Sequence, residues 1–313
     1  MVEDYSNNRY TNSFSNYKSR FGPDGLHLFN RGTGSNILID EVVIPVQRWS
    51  KAPRQVSIAL TNTCDLSCSH CYAPKQKAIL DFNLLTNWLH ILDINGCIGV
   101  GFGGGEPTLY PRLIELCEYA VNETTLVVTM TTHGHRLTDS FLKKLSGKVH
   151  FIRVSMDGIG TTYENYRRRS FNELILKIKL LKDIVPFGVN YLVNSATLDD
   201  LNEVVKLVEN IGASELLLLP EVSVGRGISI DESTERAMQK WIRDYRGKVR
   251  LSISETHTDG IPVCEPFEME NGISAYAHID ARGVLKTNSF VQDGVLINDV
   301  EIMDALQILR DSN

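Results

Sequence analysis

A chain of 313 residues that is 42% hydrophobic and 22% charged can bury a large core, so one enzyme-sized, barrel-like unit with a small appendage is expected. Its 32 Lys and Arg against 38 Asp and Glu leave a formal charge of −6, which gives no electrostatic footprint for nucleic acid. No stretch is long and apolar enough to cross a membrane and the polar start has no signal-peptide pattern, so a cytoplasmic location without a membrane partner is expected.

The opening stretch from Met1 to Arg20 is rich in Ser, Asn and Tyr and poor in aliphatic residues, which predicts a mobile arm or one ordered only on binding. From Gly25 the pattern changes. Leu26 and Leu28, then Ile37 and Ile39, alternate on either side of Gly32-Thr33-Gly34-Ser35-Asn36, the pattern of a β-hairpin. Residues 1–50 are therefore expected to form a flexible N-terminus and a hairpin. Beyond Pro53, strands and helices alternate, as in a parallel-stranded α/β fold. The expected strands are Val56–Leu60, Ile98–Phe102, Leu126–Met130, His150–Ser155, Val189–Val193 and Leu216–Leu219. Between them, Leu85, Trp88, Leu89 and Leu92 share one helix face, as do Leu201, Val204, Val205 and Val208, the second run closed by Gly212. Residues 51–230 thus read as a core of six β/α units, and 231–313 as a small α+β extension.

The most informative run is Cys64-Asp65-Leu66-Ser67-Cys68-Ser69-His70-Cys71. It offers three thiolates from one loop and no fourth, so a four-iron cluster built on it keeps one iron without a protein ligand. Structural zinc normally takes four protein ligands, and the nearest fourth candidate, His70, is wedged inside the triplet. A disulfide reading leaves one sulfur over. Some thirty residues on, after the second expected strand, comes Gly103-Gly104-Gly105-Glu106-Pro107. Consecutive glycines let backbone approach a ligand closely, and a carboxylate beside them can accept hydrogen bonds from an ammonium group.

The remaining polar motifs fall at the carboxyl ends of the expected strands, where barrel enzymes place their sites. They are Thr131-Thr132-His133-Gly134, Ser155-Met156-Asp157-Gly158, Asn194, and Pro220-Glu221. His133 reads either as a proton carrier at the rim or as a structural histidine. Arg167-Arg168-Arg169 reads as a plain solvated helix face or as a carboxylate fork. Cys97 and Cys117 read as core, whereas Cys264 reads either as a half-buried inert thiol or as a hydrogen donor or stray ligand near the site.

The cysteine triplet and the Gly-Gly-Glu-Pro element together resemble the radical SAM superfamily, and the six β/α units resemble its partial (β/α)6 TIM barrel. The resemblance implies a [4Fe-4S] cluster on Cys64, Cys68 and Cys71, with S-adenosylmethionine chelating the open iron. An electron from the cluster would then cleave the sulfonium to a 5'-deoxyadenosyl radical that abstracts a substrate hydrogen. It further implies cofactor contacts from Tyr72, Gly104, Gly105, Glu106, Ser155, Asp157, Arg167 and Asn194, with Arg167 pairing the methionyl carboxylate. The run from Ala275 to Phe290 resembles the hairpin of a SPASM or twitch extension, with Lys286–Ser289 where a cysteine would be expected. One surviving thiol, Cys264, holds no cluster, so no auxiliary cluster is expected. This order of parts resembles maturases of ribosomally made peptides (RiPPs). It implies a precursor-peptide substrate, a separate peptide-recognition protein, since the residues before Val56 are too few for a full leader-binding domain, and an electron donor such as flavodoxin or ferredoxin. The alternatives are a radical SAM enzyme acting on a small metabolite or folded protein, and an iron–sulfur redox sensor.

Overall fold

Successive side chains on a strand point to opposite faces, and in this protein that alternation separates a hydrophobic core from a cavity lined by both polar and apolar side chains. The structure, a computed structural model, describes residues 17–74, 76–254, 257–297 and 300–312. Strands β1 (Tyr17–Gly22), β2 (Gly25–Asn30) and β3 (Asn36–Ile39) form an antiparallel sheet. The expected hairpin is its β2–β3 half, with Leu26 opposite Ile39 and Leu28 opposite Ile37.

The second sheet has ten strands. Six of them run parallel and in chain order: β4 (Gln55–Thr61), β5 (Gly99–Gly104), β6 (Val127–Thr132), β7 (Phe151–Met156), β8 (Phe187–Val193) and β9 (Glu215–Pro220). Helices α1 (Phe82–Ile94), α2 (Leu113–Glu123), α3 (Asp139–Leu145), α4 (Thr161–Arg167), α5 (Phe171–Lys179) and α6 (Leu201–Ile211) connect them. All six strands and both helix faces expected from the sequence are present. Leu85, Trp88, Leu89 and Leu92 are the buried residues of α1, and α6 stops at Gly212, whose φ of 81° is the left-handed conformation that glycine adopts freely. After α7 (Glu232–Asp244), strand β10 (Arg250–Ile253) extends the sheet beside β9.

The C-terminal segment does not build a sheet of its own. Following α8 (Gly272–Ala275), β11 (Tyr276–Ile279) lies parallel to β4, and β12 (Val284–Lys286) and β13 (Val295–Leu296) continue outward before α9 (Ile302–Asp311). The β11–β12 turn is the hairpin read from the sequence, and at the position where a cysteine was expected Lys286 makes a 3.0 Å ion pair with Asp280.

The expectation of a mobile Met1–Arg20 needs correction at its end. Residues 1–16 lie outside the described residues, but 17–20 belong to β1, where Lys18 and Arg20 are buried. The Arg20 guanidinium donates to Glu270 and to the carbonyls of Ala52, Gly96 and Ser274, and Lys18 pairs with Asp93. These partners fasten the small sheet to the amino-terminal side of the barrel.

Parallel strands covered on both faces read as continuous apolar runs, as β9 does, but β4, β6, β7 and β8 do not. On β7, Ile152, Val154 and Met156 are fully buried under the helices, while Arg153, Ser155 and then Asp157 face a cavity. The same alternation puts Gln55 and Ser57 of β4, Thr129 and Thr131 of β6, and Asn190 of β8 on its wall.

Candidate active site

The cysteine loop leaves the end of β4 and is held from several directions. Thr61 Oγ1 donates to the Ala78 carbonyl at 3.0 Å and accepts from the Thr63 amide at 3.0 Å, closing the loop's base. The glycine-rich run after β5 docks directly on it: Gly105 N donates to Thr61 O at 2.6 Å and Glu106 N to Thr63 O at 2.8 Å. A Cβ on Gly104, where φ is +122°, would sit 2.3 Å from Thr61 O, and one on Gly105 would sit 2.3 Å from Thr63 O. Those two glycines are therefore required by backbone packing between loops. Gly103 is different: a Cβ there meets nothing within 4 Å and would project into open cavity.

Cys64, Cys68 and Cys71 all line a single cavity of about 450 Å³ at the carboxyl ends of the strands. Two of their sulfurs already receive N–H donors, Cys64 from the Leu66 amide at 3.4 Å and Cys68 from Arg167 Nη1 at 3.6 Å. Burial pushes both thiols up, with the Arg167 guanidinium working against that rise at Cys68. Three soft donors converging on one space, with N–H groups aimed at the sulfurs, is the donor set a cuboidal iron–sulfur cluster takes, and Gly103 leaves a ligand room beside it.

Of the residues assigned by resemblance, Tyr72, Gly104, Gly105, Ser155, Asp157 and Arg167 also line this cavity. Asp157 is 3% exposed and accepts from Arg167 Nε and from His70 Nε2 at 3.0 Å. Burial alone would raise its carboxyl, but the Arg167 charge and the His70 hydrogen bond outweigh it and hold the pKa at about 2. Arg167 therefore bridges Asp157 to Cys68, whereas Arg168 and Arg169 are exposed, so the three arginines are not one solvated face.

Two assigned residues stand off the wall. Glu106 is fully buried, and its carboxylate accepts from the Thr108 amide and hydroxyl, the Thr132 hydroxyl and the His133 amide. It ties the β5 loop to the β6 loop and offers no free face to an ammonium group. Asn194 caps its own turn through the Ala196 and Thr197 amides, while its Nδ2 reaches Tyr166 Oη at 2.9 Å and Glu221 Oε2 at 2.6 Å. Glu221, not Asn194, lines the cavity.

Of the two readings of His133, the structure gives it the structural one: it is buried and bonds Asp65 at 2.8 Å, so it braces the cysteine loop from β6, whereas sequence reasoning missed several other contributors. Gly225 packs against that loop too, since a Cβ there would lie 2.6 Å from Tyr72 Cα. From the C-terminal segment come Tyr276, His278, Ser289 and Phe290, the last stacked edge-on to Tyr72 with centroids 5.3 Å apart. The alternating polar residues of β7 and β8 were the available signal for the inner wall. Cys264 is exposed and stands apart from the cavity, and Cys97 and Cys117 are core residues.

A parallel partial barrel with three thiols grouped at its mouth defines an α/β enzyme that works through an iron–sulfur cluster. The Radical SAM superfamily model matches residues 58–208. Over that segment, which carries the cysteine triplet and the Gly-Gly-Glu-Pro run, the chain matches the radical SAM superfamily, whose cofactors are a [4Fe-4S] cluster and S-adenosylmethionine. It is similar to the AdoMet-dependent heme synthase of Methanosarcina barkeri, 26% identical over 66% of this chain and 62% of the relative. It is also similar to the sporulation killing factor maturation protein SkfB of Bacillus subtilis, 29% identical over 71% of this chain and 57% of that one. The chain thus spans about 60% of the length of these two relatives. In fold it is similar to Streptococcus suis SuiB bound to its precursor peptide SuiA, with a TM-score of 0.73 at 14% identity, covering 93% of this chain and 87% of that one.

Proposed function

We propose that this radical SAM enzyme acts on a ribosomally made precursor peptide. The observation that carries the reading is the mouth of the cavity. The cysteine loop and the C-terminal segment both border it, and there Tyr72 is 45% exposed against Phe290, an aromatic lip on which an extended chain can lie. The likeness to SkfB and to peptide-bound SuiB supports it. Residues 51–230 act as the catalytic core and 231–313 as the substrate-facing wall, with a separate recognition protein presenting the peptide and flavodoxin or ferredoxin supplying the electron.

When bound, the cluster and S-adenosylmethionine supply one-electron cleavage of a carbon–sulfur bond and hydrogen abstraction. This chain's residues hold and shield them. Cys64, Cys68 and Cys71 would ligate iron; Arg167 and the Leu66 amide donate to the sulfurs; the open wall at Gly103 and the hydroxyl of Ser155 would accommodate the nucleoside. Asp157 keeps Arg167 oriented, and Glu106 fixes the two loops that close the site against water.

The test is anaerobic reconstitution with iron and sulfide, then dithionite and S-adenosylmethionine with and without synthetic peptides encoded beside the gene. The expected result is 5'-deoxyadenosine whose formation rises with one such peptide, together with a mass change in that peptide. Deoxyadenosine without any peptide dependence would instead favour a small metabolite, the reading to which the heme synthase likeness leans.

A further inference from the structure

Buried polar atoms without partners are rare in folded proteins, and besides His70 Nδ1 in the cysteine loop two of them belong to residues that line this cavity. They are Arg153 Nε, a donor, and Asn190 Oδ1, an acceptor. Both are on the inner face of neighbouring strands: Asn190 is level with Ser155 across the β7–β8 pair, and Arg153 is two residues deeper. We infer that the inner end of the cavity is a subsite for a carboxamide on a short aliphatic stem, the chemistry of an Asn or Gln side chain, an assignment that rests on the peptide reading above.

The donor–acceptor complement fits an amide. Its C=O accepts from Arg153 Nε and its N–H donates to Asn190 Oδ1, so one planar group satisfies both orphans. Pairing argues against a carboxylate. Arg153 already has Glu215 at 2.8 Å to offset its charge, and the second guanidinium on Glu215, that of Arg250, is solvent-exposed and screened by water. On the opposite wall, Ser57 Oγ lies 2.7 Å from His278 Nδ1 and 2.5 Å from Tyr276 Oη, a chain of uncharged groups. Leu217 and Leu219 of β9 supply the apolar side against which methylenes pack.

The test uses butyramide, sodium butyrate and 2-pentanone as probes of matched length, with binding to the reconstituted, S-adenosylmethionine-loaded protein followed by saturation-transfer NMR. Butyramide is expected to bind, with butyrate and the ketone each weaker. Asn190→Leu, similar in size, should weaken butyramide about five-fold, the loss of one neutral hydrogen bond. Arg153→Lys, which keeps the charge facing Glu215 and removes the fixed Nε–H, should do the same, and melting curves identify any variant that has not folded. Butyrate binding as tightly as butyramide, no butyramide binding at all, or a folded Asn190→Leu with unchanged affinity each overturns the subsite. Failure of the peptide reading appears separately, as peptide-independent deoxyadenosine formation in the same preparation.

Discussion

Replacing Asp157 with Asn keeps the shape of the side chain and removes the only carboxylate hydrogen-bonded to Arg167 among the described residues. The two side chains are 4% and 13% exposed, so little water is available to take over. The carboxyl is held near 2 against a reference of 3.8 although burial works the other way, so the partners outweigh its desolvation by about 2 kcal/mol. Deleting one member of a buried pair leaves the other charge uncompensated, which typically costs about 3–5 kcal/mol. With partial solvent return at Arg167, Asp157→Asn should destabilise the metal-free chain by about 3 kcal/mol. The assay is urea unfolding at pH 7 under reducing conditions, comparing Asp157→Asn, Arg167→Met and the double variant. The double variant should be more stable than the sum of the singles predicts, because the pair is then removed together. An Asp157→Asn variant within about 0.5 kcal/mol of the parent, or strict additivity, would refute the argument that this pair is buried and mutually dependent.

Cys68→Ala should abolish iron retention after anaerobic reconstitution, whereas Cys264→Ala should retain it in full, as read by iron content and the visible spectrum. Gly103→Val should leave unfolding unchanged yet weaken S-adenosylmethionine binding in equilibrium dialysis, because its side chain enters open cavity; Gly104→Ala should instead cost about 1–3 kcal/mol of stability through its positive φ and the clash with Thr61 O. Burial chiefly holds His278 at about 4, below its ordinary 6.5, so the unfolded chain binds the extra proton between those values. Stability should therefore be level above pH 6.5 and fall as the pH drops to 4, by about 3 kcal/mol from this residue, and His278→Gln should flatten that part of the profile.

How much of this could be read from the chain follows from the range of the interactions. The six strands, the two amphipathic helices and the Gly212 stop are written in short-range hydrophobic periodicity, so local pattern was enough. Strand β1 was not legible in that way, because its inward residues are Lys18 and Arg20, which look like surface residues until Asp93 and Glu270 meet them. Glu106 and Asn194 carried the right motif positions, but whether each carboxylate or amide faces a ligand or a neighbouring loop depends on Thr132, His133, Tyr166 and Glu221, which lie elsewhere in the chain.

By itself, then, the sequence determined the donor chemistry: three thiols with gaps of three and two residues, a glycine run, and the barrel that carries both. Residue type and spacing are local properties, and a loop-borne ligand set needs nothing more. Only the tertiary structure decided which side of each rim residue is spent. Sheet register turns Arg153 and Asn190 on one wall, and Tyr276 and His278 on the other, toward the same cavity, and loop docking turns Glu106 inward, because hydrogen-bond satisfaction of buried polar groups is settled between elements far apart in the chain.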